Sequence, residues 1–264
     1  MIQSVVIIGS GNLATQLALA LAGKEIQVGQ VYSRTLEGAR ELAQKVNAPF
    51  TNDLSSLAVN CDLYVVAVKD SAIREVLMNM PPDKNRLLVH TAGSIAMKEL
   101  APFSDHHGVF YPLQTFSKTR KADFSNIPLC IEASDADTLQ KLQQLAQRLS
   151  SSVQQVNSQD RKTLHLGAVF VNNFVNHLYA IGAEILEHNQ LDFNLLKPLI
   201  RETASKIESI HPLDAQTGPA LRNDQQIAQA HLKMLENQPE FQEIYSFVTK
   251  SIAHFHQKQK NDLL

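Results

Sequence analysis

Three groups of side chains in this sequence have types and spacings that suit chemistry. His165, Asn172 and Asn176 lie seven and then four residues apart in an otherwise apolar stretch, so on a helix they share one face. An imidazole there can exchange a proton near neutral pH, and a carboxamide can orient a polar substrate. Further on, Thr217-Gly218-Pro219 reads as a turn, Arg222 offers a planar fork for an anion, and Asp224 and His231 sit seven apart on one helical face. The alternative for this second group is that Asn223 or Asp224 caps the helix and His231 faces solvent. The third group is the polar-aromatic run Tyr111-Pro112-Leu113-Gln114-Thr115-Phe116, in which Tyr111, Gln114 and Thr115 are substrate-facing candidates. His106 and His107 precede that run and are expected at the surface. No group has metal-ligand spacing and no nucleophile–base pair stands out, so no metal is expected.

A hydride donor would supply what these residues lack, and the N-terminus is built to hold one. Ser4-Val5-Val6-Ile7-Ile8 is a buried-strand run that feeds into Gly9-Ser10-Gly11-Asn12-Leu13-Ala14 and then an Ala/Leu-rich helix. Strand, glycine turn and helix in that order form a dinucleotide-binding βαβ unit. Gly9 permits the tight turn, Gly11 lets a pyrophosphate approach the backbone, and Ala14 lets the helix lie close to the strand. The helix start offers unpaired N–H groups to phosphate. The second strand ends in Ser33-Arg34-Thr35, where an NAD site usually carries an acid for the ribose 2′-hydroxyl. A hydroxyl and a guanidinium suit a 2′-phosphate, so NADP(H) is the expected cofactor. Val68 and Lys69 at one strand end, and Thr91, Ala92 and Gly93 after another, are expected to complete its site. Asp70 is expected to cap the helix that follows.

Seven strand-like runs position these groups: Val5–Ile8, Val28–Tyr32, Leu63–Val68, Arg86–His90, Gly108–Tyr111, Leu129–Glu132 and Val153–Val156. Helical segments separate most of them, among them Ala72–Met80 and Ala136–Ser150. The alternation predicts an α/β fold with a doubly wound, mostly parallel sheet. Past residue 157 only helical periodicity remains, in Gln159–His188, Asn194–Ile210, Asp224–Asn237 and Pro239–Lys258. Two domains are therefore expected, a nucleotide-binding domain over 1–157 and an all-α substrate and dimerisation domain over 158–264. The Gln159–His188 segment is apolar almost all round, which predicts a homodimer through the helical part. A formal charge of −2 over 264 residues gives no reason to expect a nucleic-acid partner. Cys61 and Cys130 form neither a disulfide framework nor a metal motif, and no apolar run approaches membrane length, so a soluble cytoplasmic protein is expected.

The segments G-S-G-N-L-A, S-R-T, V-A-V-K-D-S-A-I and H-T-A-G-S resemble pyrroline-5-carboxylate reductase and the deazaflavin-dependent NADP reductases. Y-P-L-Q-T-F, L-H-L-G-A-V-F-V-N-N-F and T-G-P-A-L-R-N-D, followed by His231, resemble bacterial Rossmann-like proteins that end in domain of unknown function 2520. That second resemblance spans nearly the whole chain. It implies a Rossmann domain, a helical dimerisation domain and an NADP-dependent oxidoreductase, and it supplies no substrate. Two departures matter. Tyr111 stands where the family's loop usually has His. In the related β-hydroxyacid dehydrogenases a Lys precedes the Asn pair by three or four residues, and here Val169 and Phe170 hold that place before Asn172-Asn173. His165, a helical turn earlier, is the nearest substitute for a proton donor, with Asn172 orienting the substrate. A small carbonyl, imine or hydroxy-acid substrate is expected where the domains meet. Arg222, Asp224 and His231 would grip its polar tail from the same subunit or the partner. The alternative function is a non-catalytic NADP(H)-binding sensor or scaffold.

Overall fold

The computed structural model describes residues 1–262. Its chain divides into two compact units, Met1–Phe174 and the residues from Val175 onward. The first unit is built on eight strands: β1 (Ser4–Ile8), β2 (Gln27–Tyr32), β3 (Phe50–Thr51), β4 (Leu63–Val66), β5 (Leu88–His90), β6 (His107–Pro112), β7 (Leu129–Ala133) and β8 (Val153–Gln155). They form one sheet in the order β3-β2-β1-β4-β5-β6-β7-β8. All neighbours are parallel except β6 and β7. The order reverses at β1, whose neighbours β2 and β4 follow it on opposite sides. That is where a doubly wound sheet opens a crevice beyond its strand ends. β3 is two residues long and gave no apolar run in the sequence. The antiparallel β6–β7 pair has a local cause. A parallel return needs a crossover element, and the connection from Leu113 to Pro128 contains only a short 3-10 turn, Phe124–Asn126.

Both faces of the sheet are covered, which is why its strands read as unbroken Val/Ile/Leu runs. One face packs α1 (Asn12–Ala22), α2 (Leu36–Val46) and α4 (Ala136–Leu149) over Val5, Ile7, Val65, Val89 and Ile131. The other packs α3 (Ile73–Asn79) and the 57–58 and 92–103 loops over Val6, Ile8, Tyr64 and Leu88. His107, expected at the surface, is buried as the first residue of β6, and its Nδ1 lies 2.9 Å from the Ser104 carbonyl. His106 is exposed, 3.5 Å from the Asp135 carboxylate.

The stretch expected as one helix, Gln159–His188, comprises α5 (Ser158–Ala168), a π-helical turn (Val169–Phe174) and α6 (Val175–His188). The first compact unit therefore extends beyond residue 157, to Phe174. The reason is Arg161 on α5, fully buried, which donates to the Ala92 carbonyl (3.2 Å), the Ile95 carbonyl (2.5 Å) and the Glu132 carboxylate (2.5 Å). Ser158 adds a bond to the same carboxylate at 2.8 Å. These bonds fasten α5 to β7 and to the loop after β5. The second unit holds α6, α7 (Lys197–Lys206), α8 (Gln225–Met234) and α9 (Pro239–Asp262).

Candidate cofactor and substrate site

The glycine loop sits at the switch point. Gly9 has φ +130°, and a β-carbon there would stand 2.2 Å from the Ala67 carbonyl, so only glycine lets the ends of β1 and β4 close up. Its N–H donates to the Tyr32 carbonyl at 2.8 Å, tying in β2. Gly11 caps α1 without a side chain, and a β-carbon there would meet nothing within 4 Å. This open cradle before the uncapped start of a helix fits a dinucleotide pyrophosphate. Ala14 is fully buried against the sheet. At the end of β2, the Ser33 hydroxyl lies 2.8 Å from that of Ser10 and joins the two loops. Thr35 caps α2 by accepting from Gly38 N at 3.3 Å. Arg34 between them is exposed and stands in no salt bridge among the described residues.

A cavity of about 1140 Å³ opens beyond the strand ends, and every residue that lines it belongs to the first unit. Asn12, Leu13 and Val68 form the end next to the glycine loop, and Thr91, Ala92 and Gly93 the floor. Tyr111 comes from the end of β6, Gln114 and Thr115 from the loop after it, and His165 and Asn172 from α5 and the π turn. The β6–β7 loop is held in place by Gln16 of α1, which is almost completely buried. Its amide donates to the Ser117 carbonyl at 2.7 Å and accepts from Ala122 N at 2.9 Å.

His165 is the focus of the cavity. Its Nδ1 lies 3.2 Å from the Tyr111 hydroxyl, and the two rings meet edge to face. A β-carbon on Gly93 would come within 2.7 Å of the imidazole, so the missing side chain is what seats the ring on the floor. Burial first, then the neighbouring Cys130 and Asp70, push the Tyr111 phenol above its ordinary value, so it stays protonated. Beneath the floor His90 is fully buried and accepts from Ala92 N at 3.1 Å. Burial, helped by the charge of Arg161, pushes its imidazole down to about 4.

Other expected residues stand apart from this group. Lys69 is exposed and does not line the cavity. Asp70 lines it but does not cap α3, because its carboxylate accepts the Ser94 hydroxyl. Asn176 is not at the cavity wall, and Asn173 joins Asn172 there instead. The wider turn of the π segment changes which residues share a face. In the second unit Asp224 caps α8 by accepting from Ile227 N at 3.1 Å. His231 Nδ1 lies 2.9 Å from the Tyr245 hydroxyl, and Arg222 is exposed. Arg161 and Gln16 are site-supporting residues that the sequence does not mark. A buried arginine has no signature that separates it from a solvated one, whereas the Asn172-Asn173 pair was visible.

A doubly wound sheet with an open glycine cradle at its switch point and a cavity beside it defines a dinucleotide-binding protein. Residues 4–93 match the family described as NADP oxidoreductase, coenzyme F420-dependent, and residues 127–252 match domain of unknown function 2520. A Bacteroides fragilis protein named as a putative NADP oxidoreductase is 46% identical, with a TM-score of 0.90 over 96% of this chain and 98% of that one. The reductive aminase of Aspergillus terreus, solved with NADPH and ethyl-5-oxohexanoate, is 14% identical, with a TM-score of 0.66 over 99% and 95%. Pyrroline-5-carboxylate reductase of Aquifex aeolicus is 32% identical over 87 residues, which is 33% of this chain and 33% of that protein's length. The chain belongs to the family that joins an N-terminal NADP oxidoreductase domain to a C-terminal domain of unknown function 2520.

Proposed function

We propose that this protein is an NADP(H)-dependent oxidoreductase that acts on a small carbonyl, imine or hydroxy-acid substrate in the 1140 Å³ cavity. The observation that carries this reading is the presence, in one cavity, of the helix start beside the glycine loop, the Thr91–Gly93 floor and His165. Bound there, NADPH supplies a hydride. The chain's own residues do the rest. Gly11 and the α1 start bind the pyrophosphate, Ser10, Ser33, Arg34 and Thr35 surround the 2′-phosphate, and Asn172 orients the substrate. His165 gives its proton to the oxygen or nitrogen that gains charge during reduction. A second copy of the chain covers the helical unit. The described helices are not long and apolar enough to cross a membrane.

The test pairs binding with turnover. Calorimetric titration should give tighter binding of NADPH than of NADH, and NADPH should be consumed with a carbonyl or imine partner. His165→Ala should cut turnover by about 10²–10⁴ while NADPH affinity holds. Equal affinity for both cofactors would remove the 2′-phosphate assignment. Val169 and Phe170 in the place of the related enzymes' lysine favour a second reading, a nucleotide-binding sensor without turnover. Tight NADPH binding with no oxidation by any partner would select it.

A further inference from the structure

We propose that Tyr111 is a positioning residue that fixes the tautomer of His165, leaving Nε2 as the nitrogen that delivers the proton. The proposal rests on the oxidoreductase reading above and adds to it which atom acts and what sets it. The Tyr111 hydroxyl, 3.2 Å from Nδ1, is the hydrogen-bond partner of that nitrogen. Nε2 has no protein partner among the described residues, and it is not among the buried polar atoms left unpaired, so it is open to the cavity. Three features keep the ring from turning over. The edge-to-face contact with Tyr111 holds one side, and the bare backbone of Gly93 receives the ring on the other. Arg161, one helical turn earlier, holds α5 to the Ala92 and Ile95 carbonyls.

A protonated phenol donates to Nδ1, and the neutral imidazole must then carry its hydrogen on Nε2. When the ring takes up a second proton, Nδ1–H turns to donate to the phenol oxygen and Nε2–H faces the substrate. During reduction of a carbonyl, the carbon gains the two electrons and hydrogen of a hydride from the reduced nicotinamide nucleotide. The oxygen gains the Nε2 proton, and His165 is left neutral with its hydrogen on Nδ1, still donating to the Tyr111 oxygen until Nε2 is protonated again. The nucleotide leaves oxidised, and solvent restores the proton.

The test is nitrogen NMR on protein labelled in its histidines, with the His165 signals identified by their loss in His165→Gln. In the wild type the neutral ring should show a protonated Nε2 and a bare Nδ1, and Tyr111→Phe should give a mixture of tautomers. Turnover of NADPH with a keto ester such as ethyl 5-oxohexanoate should fall by about tenfold or more in Tyr111→Phe, with KM for NADPH unchanged. A wild-type ring protonated on Nδ1, or a Tyr111→Phe ring that keeps the pure Nε2–H tautomer, would overturn the proposal. Absence of any NADPH oxidation by the wild type would count against the oxidoreductase reading instead, and the nitrogen spectra keep the two failures apart.

Discussion

Arg34 is the side chain on which we propose that cofactor choice turns. It stands at the end of β2, exposed, between two hydroxyl residues that are already engaged, Ser33 with Ser10 and Thr35 with the start of α2. A 2′-phosphate there would meet a permanent cation with several N–H donors and no carboxylate at the end of that strand. Arg34→Ala should narrow the gap between NADPH and NADH affinity by about 1.5–3 kcal/mol, the usual worth of a charged hydrogen bond. Calorimetry on both cofactors measures it, and an unchanged gap would place the discrimination elsewhere. His90 makes a prediction of a different kind. Its imidazole is pushed down to about 4 in the fold and returns to an ordinary value near 6.5 on unfolding. The neutral form is thus the one the fold holds, so its contribution is complete above pH 6.5 and is lost as pH falls towards 4. That window is worth about 3 kcal/mol at one pKa unit per ~1.4 kcal/mol. Urea unfolding at pH 7 and pH 4.5 should show the fall, and His90→Gln should flatten it.

At the scale of elements, α5 decides whether the cavity has a wall. The helix carries His165, yet its grip on the sheet comes from Arg161 and its partner Glu132, a charge pair with no exposed surface on the arginine side. Removing one member strands the other in a low-dielectric interior, which usually costs about 3–5 kcal/mol. Arg161→Leu should lower unfolding stability by that order and loosen the seating of His165 over Gly93, read as a loss of turnover beyond the loss of fold. A change below about 1 kcal/mol in urea unfolding would mean that α5 is held by its apolar contacts instead. The strands and most helices were legible in the sequence because each is bounded by a physical signal. β-branched runs ended at glycines or polar turns, and helical spacing began after Thr35, Asp135 and Asn157, all three of which are caps. The π turn carries no such signal. Its extra residue alters hydrogen bonding but not the apolar pattern, so regular helical spacing pairs Asn176 with Asn172, whereas the cavity wall holds Asn172 and Asn173. The buried Arg161 was hidden for a similar reason, since its value lies in distant partners, the carbonyls of Ala92 and Ile95 and the carboxylate of Glu132 on β7.

At the scale of the molecule, the two units contrast in what they bury. The first has two large apolar clusters, one on each face of the sheet. Among the described residues of the second, Leu235 is the only hydrophobic side chain that is buried. Leu195, Leu199, Ile207, Phe247 and Phe255 each leave more than half of their surface open in the single chain. Four helices with so little enclosed surface have little to set against their own ordering entropy, which favours cover by another surface. The apolar Gln159–His188 stretch made the same demand from sequence alone. A second copy of this chain is the occupant proposed, because a self-complementary pairing lets one apolar face cover another like it. Sedimentation at micromolar concentration should therefore give about twice the 29.3 kDa chain mass. Phe247 on α9 is 75% exposed in the single chain, so Phe247→Glu should cost an isolated protomer little. In a dimer that buries the ring, the same change would desolvate a carboxylate and split the assembly. A variant that sediments as a monomer with intact NADPH binding would bear this out. A wild type that sediments as a monomer would sink it, and the helical unit would then need a different cover.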